Sequence, residues 1–245
     1  MDKRMFIVLF RHHFSKRGHT MLLVRLLCFI IICFGTSQAV HAKPYFPAET
    51  VPPTLLTPPL APKSAAWNEE IETIIALQKH ASKEEINAAA SERDVHPERM
   101  LETLHPEITR ASNPALFVLL DRVSDTSRVV TNQAKTFWST KRPYLSDSRV
   151  KALIDAHSNN AYPSGHTSAS YCFAYVLGMV FPKERQQFID RAETIAQHRV
   201  LVGMHYPHDI KGGKQLADLI VGGLLQNAAF RKDLAKAQKE SHTAD

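Results

Sequence analysis

From Ser64 onward apolar residues recur at helical spacing, and nowhere do they alternate in the two-residue rhythm of a strand. Trp67, Ile71, Ile74 and Ile75 share one helix face, and Ser82 with Glu85 three residues later is a capping-box pattern opening a second helix. Asn113-Pro114 supplies a cap and first-turn pair, after which Leu116, Leu120, Val123 and Val130 carry a long helix toward Trp138. A break follows at Arg142-Pro143, then a polar loop to Tyr162. Thr167 to Phe181 is the most apolar stretch beyond the N-terminal region and reads as a central buried helix stopped by Pro182. Lys183 to Val202 is amphipathic, and Pro207 opens a last helix running to about Phe230. The pattern predicts an all-α, single-domain helical bundle of six or seven helices spanning residues 64–230, with a polar C-terminal tail over 231–245 that frays.

The ends differ from this body. Residues 43–63 hold seven prolines, which excludes a regular helix and predicts an extended N-terminal arm. Residues 1–42 run from basic residues through the apolar segment Leu26 to Phe34 to Val40-His41-Ala42, the layout of a signal peptide cut before Lys43. Met21 to Ala42 alone makes a compact signal, so Met21 is a plausible start. The expected location of the mature chain is periplasmic or secreted.

Charge sharpens this reading. The chain of 245 residues carries a net charge of +6, but residues 1–42 hold six Lys and Arg against Asp2 alone, which leaves +1 on the rest. A nucleic-acid partner is therefore not expected. Of three cysteines only Cys172 lies beyond residue 42, within Tyr171-Cys172-Phe173, where it reads as a packed hydrophobe. Beyond residue 42 the longest apolar run, Tyr171 to Phe181, is 11 residues, well short of the ~20 a bilayer span needs, so stable membrane insertion is not expected.

Three segments place polar residues where helical packing alone would not. Phe188, Ala192, Ile195, Arg199 and Val202 form one stripe, which puts a guanidinium on an apolar face, where it needs an anion: a buried carboxylate or a bound ligand. Lys135 lies beside the stripe of the long helix, and Arg142 follows at its exit. Pro163-Ser164-Gly165-His166-Thr167 opens the most apolar helix, offering main-chain N–H groups and the positive dipole end to an anion, or simply a Ser cap beside an incidental His. In Arg199-x5-His205-x3-Asp209 the carboxylate one turn beyond His205 can take its Nδ1–H and expose Nε2, as a structural bond or as part of a nucleophile.

Taken in order, Lys135-x6-Arg142-Pro143, Pro163-Ser164-Gly165-His166 and Arg199-x5-His205-x3-Asp209 resemble the three-part signature of the type 2 phosphatidic acid phosphatase superfamily. That superfamily includes bacterial class A nonspecific acid phosphatases, membrane lipid phosphatases and vanadium haloperoxidases. The resemblance is closest to the class A enzymes and covers roughly Leu55 to Phe230. His198 stands where a Ser usually precedes the third-motif Arg, and Asn160-Ala161 replaces the Gly-Ser that commonly leads into the second motif.

The resemblance implies the helical fold of that superfamily and a phosphate monoester hydrolase without cofactor or metal. It implies that Lys135, Arg142, Arg199, Ser164 and the Gly165 N–H bind phosphate, and that His205 attacks phosphorus to form a phosphohistidine. Asp209 would orient His205, and His166 would protonate the leaving group. Three cations would take the part metal ions play in other phosphatases. His205 and His208, three apart in a cation-rich stretch, do not read as a metal pair. Small phosphomonoesters are the expected substrates, with a leaving-group pocket built from residues 144–161 and the N-terminal arm. A periplasmic lipid-phosphate phosphatase is the alternative, and an inactive anion-binding protein a further one. A homo-oligomer is compatible with the sequence.

Overall fold

The computed structural model describes residues 43–156 and 160–242. The proposed signal peptide at 1–42 lies outside the described residues. Those described form nine α-helices, two 3-10 turns and no strand: α1 (Ala65–His80), α2 (Lys83–Ser91), α3 (Glu98–Leu101), α4 (Pro114–Trp138), α5 (Pro143–Ser146), α6 (Gly165–Val180), α7 (Arg185–Leu201), α8 (Pro207–Gln226) and α9 (Ala228–His242). The all-α fold class is as expected. The helix count exceeds six or seven because α3 and α5 are single turns, too short to carry a period, and because α9 exists.

The apolar helix α6 lies at the centre, packed against α4, α7 and α8. It is apolar on nearly every side, with Tyr171, Cys172, Phe173, Ala174, Val176 and Leu177 all buried, and so needs neighbours all round. α4 offers it Leu116, Leu120, Val123, Val130 and Ala134; α7 offers Phe188, Ala192 and Ile195; α8 offers Leu216, Ala217, Ile220 and Leu224. A second core joins Trp67, Ile71 and Ile74 of α1 to Ala196 and Val200 of α7 and to Tyr206 and Ile210. The caps at Ser64 and Ser82 form as the pattern requires: Ser64 Oγ accepts from Trp67 N at 3.2 Å, and Ser82 and Glu85 complete the capping box.

Two expectations are corrected. Residues 231–245, expected as a frayed polar tail, are helical through His242, and the helix expected to run from Pro207 to Phe230 breaks at Asn227. Asn227 leaves helical geometry at ψ 121°, and its Oδ1 accepts from Ala229 N at 2.9 Å and Phe230 N at 3.1 Å, which starts α9. The stripe Phe230, Leu234, Ala237 turns inward against α4; with Leu234 only partly buried and Ala237 small, it is masked by the surrounding Lys and Glu. Asn113 stands at the start of α4 but its side chain makes no cap bond. Glu240 of α9 takes that role, accepting from Ala115 N and Leu116 N at 3.0 Å each.

The Pro-rich segment is extended apart from its two 3-10 turns, and it is bound to the bundle. Tyr45, Phe46, Val51 and Leu56 are buried. The Tyr45 ring meets Phe230 edge-on at 5.4 Å and lies under the Arg122 guanidinium at 3.9 Å, and its hydroxyl donates to Asp233 at 3.1 Å.

Candidate active site

The three motifs are joined by main-chain contacts that the sequence does not display. After α4 the chain reverses through Ser139 in the left-handed region, and Thr140 then holds the second-motif loop: its carbonyl accepts from Ala161 N at 3.0 Å and its hydroxyl from Tyr162 N at 2.8 Å. The Ser164 N–H in turn donates to the Asp209 carbonyl at 3.0 Å, tying the second motif to the third. Two glycines of α8 permit this approach. A Cβ at Gly213 would stand 2.6 Å from the Ser164 carbonyl oxygen, and one at Gly212 would stand 2.3 Å from the Tyr162 ring. Gly165 is different: a Cβ there would meet Thr131 Cγ2 at an ordinary 3.5 Å, so the packing does not demand glycine, and its bare backbone faces the pocket.

His205 and Asp209 form the pair expected from their spacing, with His205 Nδ1 at 3.0 Å from Asp209 Oδ2. Asp209 is the third residue of α8, and the same oxygen accepts the Tyr206 N–H at 3.0 Å. On the far side of the ring Arg142 Nη1 lies 3.2 Å from His205 Nε2, while also donating to the Met204 carbonyl at 2.7 Å. A guanidinium donates only, so Nε2 presents its lone pair and Nδ1 carries the proton. Burial, followed by the charges of Arg142, Lys135, His166 and Arg199, holds His205 well below the ordinary histidine range, which keeps the imidazole neutral.

Lys135 is 6% exposed, and its Nζ donates to the carbonyls of Asn160 at 2.6 Å and Ala161 at 2.8 Å. An ammonium has three protons, so one remains for a ligand. Burial first, then the neighbouring Arg142, pulls the ammonium down to about 7. Burial pushes the Asp209 carboxyl up to about 6 against the opposing pull of His208, the Tyr206 N–H, Lys135 and Arg142.

Of the two anions considered for Arg199, the described residues supply the buried carboxylate, Glu92. The Arg199 Nη2 donates to the Ala89 carbonyl and lies 3.4 Å from Glu92 Oε2, while Nε and Nη1, fully buried, have no partner. A buried guanidinium edge with two unsatisfied N–H groups is costly unless an anion occupies it. Glu92, at the end of α2, is 2% exposed and also binds Arg191 at 2.7 Å and His198 at 2.8 Å. Burial opposes its ionisation, but His198 and Arg191 outweigh that and hold its carboxyl below the usual range. His198 thus anchors the carboxylate that positions Arg199. The same corner holds His166, whose Nε2 lies 3.1 Å from the Glu92 carbonyl and 2.9 Å from that of Arg93. Glu92 escapes sequence reasoning because an acidic residue closing an Ala-rich amphipathic helix looks solvated.

Lys135, Arg142, Gly165, His166 and His205 line one pocket of about 410 Å³. Ser164, Arg199 and Asp209 are fully buried and do not line its surface. Ser164 Oγ accepts from Thr167 N at 3.3 Å and Thr167 Oγ1 at 2.9 Å, so its side chain caps α6. The outer wall is also a correction. Among the described residues, neither 144–156 and 160–161 nor the arm lines this pocket; Arg93 to His96 and the α4 side chains Ser124, Ser127, Arg128, Thr131 and Asn132 do. Among the described residues no group of three His, Cys, Asp or Glu is placed to hold a metal ion, and no helix is long and apolar enough to cross a membrane.

Known proteins resemble this chain in sequence and fold. Residues 119–232, which contain all three motifs, match the PAP2 superfamily. The chain is 25% identical over 240 residues to an acid phosphatase of Zymomonas mobilis, covering 90% of this chain and 91% of that one. It is 29% identical over 138 residues to a non-specific acid phosphatase of Providencia stuartii, covering 54% of this chain and 56% of the relative. Among solved structures, a bacterial vanadium-dependent iodoperoxidase shares the fold with a TM-score of 0.55 at 19% identity, over 68% of this chain and 52% of its own. Residues 119–232 thus carry the PAP2 superfamily match, and the acid phosphatase relatives indicate a phosphoric monoester hydrolase.

Proposed function

We propose that this PAP2 phosphatase is an exported, metal-independent acid phosphatase that works through a phosphohistidine on His205. The observation carrying this reading is the neutral His205–Asp209 pair, its Nε2 lone pair turned toward Arg142 in a pocket that Lys135 also lines, with the buried Arg199 keeping an unpartnered Nε and Nη1 edge. The phosphate oxygens accept from Lys135, Arg142, the Arg199 Nε and Nη1 edge and the Gly165 N–H, with Ser164 holding the start of α6 that presents it. Phosphoryl transfer asks chiefly for such positioning and charge neutralisation.

Nε2 of His205 forms a bond to phosphorus as the bond to the ester oxygen breaks, and the Nδ1 proton stays on Asp209's side of the ring. His166 delivers a proton to the departing alkoxide. Its Nε2–H is engaged by the Glu92 and Arg93 carbonyls, so the transfer goes through Nδ1. A water then gives a proton to His166 and displaces His205, releasing phosphate and restoring the starting state.

The test is hydrolysis of p-nitrophenyl phosphate by the form beginning at Lys43, with EDTA present, across about pH 4 to 8. Turnover that EDTA leaves unchanged and vanadate suppresses is expected; a folded preparation with no turnover overturns the reading. The polar wall of Ser124, Ser127, Thr131 and Asn132 favours polar leaving groups, so nucleotides and sugar phosphates should outpace short-chain phosphatidic acid. The reverse order would move the assignment to a lipid phosphatase.

The pH dependence has a definite sign. Lys135, depressed to about 7, loses its proton as pH rises through neutrality, and the phosphate grip loses a charge with it. Asp209, raised to about 6, is protonated below that value and then releases His205. kcat/KM, which reports the free enzyme, should therefore peak between these two values and fall about tenfold per pH unit on the alkaline side. Lys135→Arg, charged throughout, should move the alkaline limb upward; an unmoved limb would assign it to another group.

A further inference from the structure

His208 immediately precedes Asp209, and the function above leaves it without a role. Its side chain is 12% exposed, and its ring stacks on Tyr206 at 5.1 Å and 17° and on Tyr162 at 6.0 Å and 30°. Nδ1 lies 2.6 Å from Oε2 of Glu70 on α1, and the same carboxylate oxygen accepts the His208 main-chain N–H at 3.2 Å. Nε2 lies 3.5 Å from Asp209 Oδ1. That oxygen has no hydrogen-bond partner of its own, whereas Oδ2 accepts from both His205 and Tyr206. A neutral imidazole has one N–H, and between two carboxylates it would turn a lone pair on one of them. An imidazolium turns an N–H toward each, a hydrogen bond to Glu70 and a charge contact at 3.5 Å to Asp209.

Resting on the phosphohistidine reading, we propose that His208 is a positioning residue of the reaction: as an imidazolium bridging Glu70 and Asp209, it keeps Asp209 ionised and oriented on His205. The need for such a cation is physical. Asp209 is 0% exposed, and burial alone drives its carboxyl toward the neutral acid, which would no longer hold the His205 tautomer as a charged acceptor does. Lys135 and Arg142 are committed to the pocket side. From the two other cavities that His208 borders, the titratable neighbours are Glu69, Glu70, Tyr162 and Lys211 in one and Lys63, Lys141 and Tyr206 in the other. Glu70 is the group in hydrogen-bond contact.

His208→Phe tests this, because it keeps an aromatic ring between Tyr206 and Tyr162 and removes both N–H groups. The acid limb of kcat/KM should move up by about one pH unit, with about a tenfold loss on that limb and little change near neutrality. Glu70→Gln should move the limb in the same direction. A His208→Phe enzyme with the wild-type limb would show a packing role alone and overturn the proposal. Should either variant fail to fold, 15N NMR of the wild-type protein decides: both His208 ring nitrogens protonated at neutral pH support the bridge, and a neutral ring there refutes it. That spectrum needs no turnover, so it separates failure of this inference from failure of the phosphohistidine reading.

Discussion

His205→Ala is expected to abolish turnover, with a loss in kcat of roughly 10⁴-fold or more, while the protein still binds inorganic phosphate. His166, the neighbouring imidazole, holds its Nε2 against two main-chain carbonyls on the opposite corner. The groups proposed to grip phosphate have anchors other than His205. Lys135 is held by Asn160 and Ala161, Arg142 by the Met204 carbonyl, and Arg199 by Ala89 and Glu92. Calorimetric titration with phosphate should therefore show affinity retained in part, and an alkaline denaturing quench of the wild type during turnover of labelled substrate should trap label on protein that the variant fails to trap. Turnover near the wild-type rate would remove His205 from the nucleophile's role.

Arg199→Lys is expected to lower kcat/KM by about 10² to 10³, the usual cost of deleting a preorganised donor to a developing oxyanion. The guanidinium serves two sides at once: Nη2 faces Ala89 and Glu92, and Nε with Nη1 forms the unpartnered edge. A lysine has one nitrogen at the end of a flexible stem and cannot span both. Folding should survive the change, because Glu92 keeps Arg191 and His198 as partners. Steady-state kinetics and vanadate inhibition would report the loss, alongside a thermal melt. A lowered melting temperature with kcat/KM unchanged would make Arg199 an anchor for α2 and nothing more.

The parts of this protein legible in the sequence are those whose causes are local. Helical spacing in α1, α4, α6 and α7 is written in residues three and four apart, and the caps at Ser64 and Ser82 lie within one turn of the groups they bind. His205 and Asp209 could be paired on paper because one helical turn separates them, and the order and spacing of Lys135, Arg142, Ser164, Gly165, His166 and Arg199 carried the family resemblance. Where local signals compete, as at Asn113, propensity named a cap that a distant carboxylate supplies, since Glu240 reaches the same N–H groups across 124 and 125 residues.

Composition and periodicity by themselves determined an all-helical bundle, and the order and spacing of three motifs carried the resemblance that implies a set of residues holding phosphate. The tertiary structure decided what each of those residues is held by. Glu92 reaches Arg199 across 107 residues and Glu70 reaches His208 across 138, while the loop after α2 closes the pocket over α4. Such partners leave no periodic trace, because a buried charge needs an opposite charge only where folding brings the two together, and the chain distance between them is free to vary.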